Sequence, residues 1–151
     1  MLNLNTVIDI LIKILVVDDD KLIRWSLKEL FSQEGYEVKA VATAKEALEQ
    51  AEDKPYDLIF TDLEIKDENS TEMLRKMTSF QPEAKIIILS ALTRQQMESQ
   101  IGDLNIFSII EKPFRSEQVK SIVKEALSPL EYGDRVGNQS EAANSSEDKS
   151  K

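Results

Sequence analysis

Four places in this chain carry side chains able to do chemistry on an anion: the run Asp18-Asp19-Asp20, then Asp62, Ser90 and Lys112. Asp18, Asp19 and Asp62, brought to one place, would repel one another and raise at least one pKa unless a cation neutralises them. A hard divalent ion such as Mg2+ does so through oxygen ligands and keeps several waters. Two carboxylates with a backbone carbonyl from the loop after Asp62 then make a half-open site that admits phosphate. In such a site Asp62 is a covalent nucleophile, since a positioned, charge-compensated carboxylate accepts a phosphoryl group. The Ser90 hydroxyl and the Lys112 ammonium supply the remaining phosphate donors.

Apolar runs must bring these residues together. Lys13-Ile14-Leu15-Val16-Val17 leads into the acidic run, and Tyr56 to Phe60, entered after Pro55, leads into Asp62. Both read as buried strands of a parallel sheet, with their acids at the carboxyl ends, the rim where open α/β sheets bind ligands. Lys85 to Leu89 delivers Ser90 in the same way, and Ile106 to Ile110 precedes Lys112.

Helical patterns fill the intervals. Leu22, Ile23, Ser26, Leu27, Leu30 and Phe31 mark one face after a cap at Asp20, and Gly35 closes that helix. A second strand is expected over Tyr36 to Val41. Thr43 and Glu46 form a capping box for a helix with a small-residue face at Ala44, Ala47, Leu48 and Ala51. Asn69-Ser70-Thr71-Glu72 opens a third helix with Met73, Leu74, Met77 and Phe80 inward. Thr93 to Gln96 opens a fourth, mostly polar and the loosest element, with Met97, Ile101 and Leu104 as its inward candidates. Val119, Ile122, Val123, Ala126, Leu127 and Leu130 stripe the last. Five strands alternating with five helices predict right-handed crossovers and helices on both faces.

Composition narrows the function. The chain has 151 residues, 41% of them hydrophobic, with a formal net charge of −9. That balance argues against direct nucleic-acid binding, which rests on clustered Lys and Arg. With neither cysteine nor histidine, there is no disulfide, thiolate site or imidazole base, and any metal is held by oxygen. The apolar residues from Val7 to Val17 are interrupted by Asp9 and Lys13, too short for a membrane span and without a basic leader, so a cytoplasmic location is expected. Residues 1–12 form an N-terminal extension, 13–131 one domain, and 132–151 a polar tail too poor in apolar groups to order itself.

As a set these residues resemble the response-regulator receiver domain of two-component signalling over roughly Lys13 to Leu130. The resemblance implies the flavodoxin-like doubly wound (βα)5 fold with a five-stranded parallel sheet in the order 2-1-3-4-5. It implies Mg2+ held by Asp19 directly, by Asp18 through water, by Asp62, and by the backbone carbonyl of Glu64. Asp62 is then the phosphorylated residue, Ser90 turns toward the phosphoryl group, and Lys112, before a cis Pro113, pairs with it. Partners follow: a sensor histidine kinase or phosphotransfer protein as donor, and a downstream protein or a second copy met through the fourth helix, fifth strand and fifth helix. The run Ile23-Arg24-Trp25 is similar to that of nitrogen-regulator-type receivers. The chain departs from the family at Ile65-Lys66 and Asn69-Ser70, where Met-Pro and then Asp-Gly or Asn-Gly is usual. It departs again at Ile109, where an aromatic residue is common; Phe107 stands two positions earlier.

Each residue also has a plain explanation when taken alone. Three aspartates often begin a solvated helix, Ser90 is an ordinary loop residue, Lys112 a surface lysine before a proline, and Trp25 a partly buried helix residue. Two other functions share the pattern. A haloacid-dehalogenase-type phosphatase pairs an Asp-x-Asp, matched by Asp18 and Asp20, with a Ser and a Lys, but its later acidic pair is missing. A receiver-shaped module that signals without phosphorylation is the other. The expectation is a switch and not an enzyme.

Overall fold

The computed structural model describes residues 11–65 and 69–128. Residues 1–10 of the expected extension, Leu130 and the expected tail at 132–151 lie outside the described residues.

Strands and helices alternate: β1 (Lys13–Val17), α1 (Lys21–Gln33), β2 (Glu37–Val41), α2 (Ala44–Asp53), β3 (Leu58–Asp62), α3 (Ser70–Phe80), β4 (Lys85–Ser90), α4 (Arg94–Ile101), β5 (Ser108–Glu111) and α5 (Ser116–Leu127). All strand pairs are parallel, and the order is β2-β1-β3-β4-β5. The chain divides after Ser116 into two units, so the sheet with α1 to α4 belongs to the first and nearly all of α5 to the second. In α5 the buried residues are Val119, Val123 and Ala126.

Strand alternation sorts the core of the first unit into two layers. Leu15, Val17, Ile59, Ile86 and Ile88 cluster with Ala44, Ala47 and Ala51 of α2, Met73, Leu74 and Met77 of α3, and Met97 and Ile101 of α4. Alanines at the α2 positions let that helix approach the sheet closely. On the opposite face Phe31 of α1 meets Phe60 of β3, ring centroids 5.0 Å apart, and a buried aromatic of that size stabilises by about 1.5–3 kcal/mol.

Side chains set the helix ends. Asp20, extended at φ −84°, accepts from the amides of Leu22 and Ile23. At the other end Gly35 takes φ +90°, and the amides of Gly35 and Tyr36 return to the carbonyls of Ser32 and Phe31 at 3.0 and 3.1 Å. This is the left-handed closure that glycine permits without a Cβ penalty. Asn69 caps α3, and Thr93 with Gln96 completes a capping box on α4. At α2 Thr43 accepts from the Glu46 amide, while the Glu46 carboxylate reaches the amide of Ala42. That contact is the first cause of its pKa lying below the usual carboxylate value.

Several expected burials fail. Leu22 and Trp25 are 68% and 61% exposed and Phe80 is 40% exposed. In α1 only Leu27 and Phe31 are buried, because the sheet covers a narrower arc of the helix than its apolar residues span. Leu104 lies beyond the end of α4 and packs against the core as a partly buried residue. β3 begins at Leu58 and β5 at Ser108, later than their apolar runs do.

Candidate functional site

β1 and β3 are neighbours in register, Val16 opposite Phe60 and Val17 opposite Thr61, so the residues that follow reach the same rim. Asp18, Asp19 and Asp62 accordingly offer carboxylate oxygens that all lie within 4.8 Å of one another. Asp18 is fully buried and Asp62 nearly so. Asp20, next in sequence, has the separate task of capping α1. An Asp-x-Asp phosphatase pair would need Asp20 at the centre, and its carboxylate is spent on the helix amides.

Asp18 and Asp62 are each oriented by a donor on either oxygen. The Lys112 ammonium lies 2.7 Å from Asp18 Oδ2 and 3.0 Å from Asp62 Oδ2. Asp18 Oδ1 accepts from the Asp20 amide at 2.9 Å, and Asp62 Oδ1 from the Glu64 amide at 2.9 Å. Lys112 is placed by β5: its amide donates to the Ser90 carbonyl at 2.7 Å, and the Lys112–Pro113 peptide is cis. Burial raises the Asp18 carboxyl above its ordinary value, outweighing the hydrogen bonds from Lys112 and the Asp20 amide. For Lys112 burial works to lower the pKa, but the bonds to Asp18 and Asp62 prevail and raise it.

Three carboxylates against one ammonium leave an excess of negative charge equal to that of a divalent cation. All the donors are hard oxygens, the chemistry that Mg2+ or Ca2+ selects. The residues present therefore fit such an ion.

Ser90 is fully buried at the end of β4. Its hydroxyl donates to Glu64 Oε1 at 3.2 Å and accepts from the Leu92 amide at 3.1 Å. The Ala91 amide also donates to Glu64 Oε1, at 3.3 Å. The resemblance gives Glu64 a part through its backbone carbonyl and as a position that tunes hydrolysis; the contacts of its carboxylate with Ser90 and Ala91 are what the structure adds. Arg24 was also missed, and its Nη1 donates to the Asp18 carbonyl at 2.9 Å. A signal for it existed in the sequence, since a long cation one turn past an N-cap leans back toward the helix start.

At the far end of the rim the start of α4 is tied to β5 through polar contacts. The Arg94 amide donates to Glu111 Oε2 and its guanidinium to the Ile109 carbonyl, both at 2.9 Å, and Ser90 stands opposite Glu111 in register. Ile109, in the place of the family's aromatic residue, is partly buried against the core. Beside Lys112 lies an apolar cleft of about 630 Å3, with Leu22, Trp25, Leu30, Pro113 and Phe114 in its walls. Among the described residues no helix is long and apolar enough to cross a membrane.

Comparison with known proteins identifies the family. Residues 14–124 match the family model described as the response regulator receiver domain. The chain is 30% identical over 115 residues to sporulation initiation phosphotransferase F of Bacillus subtilis, covering 76% of this chain and 93% of that protein. It is 31% identical over 114 residues to the DNA-binding transcriptional regulator NtrC of Azospirillum brasilense, covering 76% of this chain but only 24% of that regulator, about a quarter of its length. Among solved structures, a CheY-like response regulator receiver domain protein from Methanospirillum hungatei superposes with a TM-score of 0.75 at 31% identity, covering 82% of this chain and 99% of that one.

Proposed function

The chain belongs to the response regulator receiver family, and from that premise we propose that Asp62 is its phosphoacceptor, charged by the phosphohistidine of a histidine kinase or phosphotransfer protein. The observation that carries this reading is the ammonium of Lys112 lying within 3.0 Å of both Asp18 and Asp62 at one rim. Carboxylates oriented in this way, with a cation already between them, are poised for an incoming anion. An Asp62 oxygen attacks phosphorus in line. A P–O bond forms as the donor's P–N bond breaks, and the imidazole departs with the bonding pair. Lys112 holds the product, and the Ser90 hydroxyl and Ala91 amide are the donors within reach of its other oxygens.

Mg2+ is the ion we assign to the site, held by Asp18, Asp19, Asp62 and the backbone carbonyl of Glu64. When bound it supplies charge neutralisation for the crowded anions. The chain is a signalling switch in this reading, with one phosphoryl group per molecule and no turnover of a substrate. The donor meets the rim beside the cleft at Leu22 and Trp25. The message leaves by protein contact through α4, β5 and α5, to a downstream target or a second copy, since a change at Ser90 reaches β5 through the Lys112 amide. We place the protein in the cytoplasm, with neither membrane nor nucleic acid as a direct partner.

Incubation with acetyl phosphate and Mg2+ tests the proposal. One hydroxylamine-labile phosphoryl group per chain is expected, and Asp62→Asn abolishes it. A folded chain that takes up none would point instead to a receiver-shaped module that signals without phosphorylation.

A further inference from the structure

The peptide between the first two acids of the turn from β1 to α1 is held by a side chain that the phosphoacceptor chemistry does not use. Asp18 is fully buried, and each of its polar groups has a partner. Its amide donates to the Val41 carbonyl at 3.1 Å, its Oδ1 accepts from the Asp20 amide at 2.9 Å, and its Oδ2 accepts from Lys112 at 2.7 Å. The remaining acceptor, its carbonyl, takes Arg24 Nη1 at 2.9 Å. These bonds fix different peptides. The Val41 contact holds the one before Asp18, and the Asp20 contact the one after Asp19. The Arg24 contact holds the one between Asp18 and Asp19, and the plane of that peptide sets the direction in which the chain carries Asp19.

We propose that Arg24 is a positioning residue for the cation site: its guanidinium locks the peptide that joins Asp18 to Asp19, so that the two carboxylates keep the spacing a hard divalent ion requires. The inference rests on the assignment of Mg2+ to this site and adds a residue that touches neither the carboxylates nor the place of the phosphoryl group. Arg24 is partly buried, and a planar guanidinium loses little freedom for each bond it makes. Glu46 sets an anion of α2 within range of the same side chain, since its pKa is lowered first by the Ala42 amide and to a lesser degree by the charge of Arg24. Charge and geometry act in opposite directions here. A cation on this turn repels a divalent ion, so an effect of charge alone would make Mg2+ bind more tightly once Arg24 is removed. Freeing the peptide makes it bind more weakly, because the contacts that orient metal ligands are worth about ten- to a hundredfold in affinity. Geometry prevails, as the bond to Asp18 is direct while the charge is screened by Glu46 and by water.

The test titrates Mg2+ into the wild-type chain, Arg24→Met and Arg24→Lys by calorimetry, and follows labelling by acetyl phosphate across the same Mg2+ range. Arg24→Met should bind Mg2+ about tenfold more weakly, the low end of what an orienting contact is worth. Arg24→Lys keeps the charge and a donor but not the planar fork, and should recover part of the loss. In the labelling reaction the half-saturating Mg2+ concentration should rise by the same factor in Arg24→Met, while the rate at saturating Mg2+ matches the wild type. A general loss of stability does not produce that split. If Arg24→Met does not fold, the same split in Arg24→Lys, at a smaller factor, carries the test. Folded variants that bind Mg2+ as tightly as the wild type or more tightly, or a lower saturating rate with an unmoved half-saturation, overturn the role of Arg24. A wild type that binds Mg2+ but takes up no phosphoryl group overturns the phosphoacceptor reading and leaves this inference standing. A wild type that binds no Mg2+ overturns this inference together with the Mg2+ assignment.

Discussion

The ammonium of Lys112 lies 3.0 Å from Asp62 Oδ2, across fifty positions of sequence, and the same nitrogen is 2.7 Å from Asp18 Oδ2. One cation thus holds two buried acids from two strands. It also sits where a product anion on Asp62 would need it. The lysine therefore has a structural task in the resting chain, and in the proposed reaction it would take on a binding task once Asp62 is charged.

Replacing Lys112 by Met should expose the first task. Two buried carboxylates would lose their shared partner, which costs about 1–3 kcal/mol after allowance for the lysine's partial exposure. Urea unfolding in metal-free buffer should show a lower midpoint, and added Mg2+ should narrow the difference. An unchanged midpoint would mean that water screens both acids, contrary to their burial.

Asp18 should make the metal-free chain sensitive to pH in the opposite sense from an ordinary salt-bridged acid. Burial raises its carboxyl above the usual 3.8, so the folded chain binds this proton more tightly than the unfolded one. Stability then falls as pH climbs from about 3.8 through the raised folded value. Asp18→Asn lacks that loss. Its melting temperature should exceed that of the wild type at neutral pH, converge with it in acid, and lose most of the advantage when Mg2+ is present. Melting curves that run parallel at every pH would contradict the assignment.

Gln81 should carry stability and no part of the chemistry. Its Oε1 accepts from the Tyr56 amide at 3.1 Å, and its Nε2 donates to the carbonyls of Ala51 and Lys54 at 2.6 and 2.5 Å. The side chain thereby joins the end of α2 to the approach to β3, at the end of the sheet opposite Asp62. Gln81→Ala leaves these groups without partners, a loss of about 1–3 kcal/mol that thermal unfolding should register. Labelling by acetyl phosphate below the transition should proceed as in the wild type. A slowed reaction with intact stability would show that the two ends of the sheet are coupled.

Much of the site was legible before any coordinates. Asp18, Asp62 and Ser90 each stand at the end of an apolar run, and parallel pairing puts all such ends on one rim whatever the order of the strands. The contacts of the Glu64 side chain were not legible in this way. They are made by a long side chain with several torsions, whose direction is chosen by partners distant in sequence. The exposure of Leu22, Trp25 and Phe80 was hidden for a related reason: periodicity tells which residues share a helix face, but the width of the covering surface decides how many of them leave water.

Taken alone, the amino-acid sequence determined the alternation of strands and helices, the caps at Asp20, Asn69 and Thr93, and the set of acids, hydroxyl and lysine at the strand ends, because these follow from local periodicity and from chemistry near in sequence. The tertiary structure alone decided that Lys112 bridges Asp18 and Asp62 and that Glu64 rests on Ser90 and Ala91. Those are contacts between groups far apart along the chain, and their geometry exists only once β1, β3, β4 and β5 have aligned in one register.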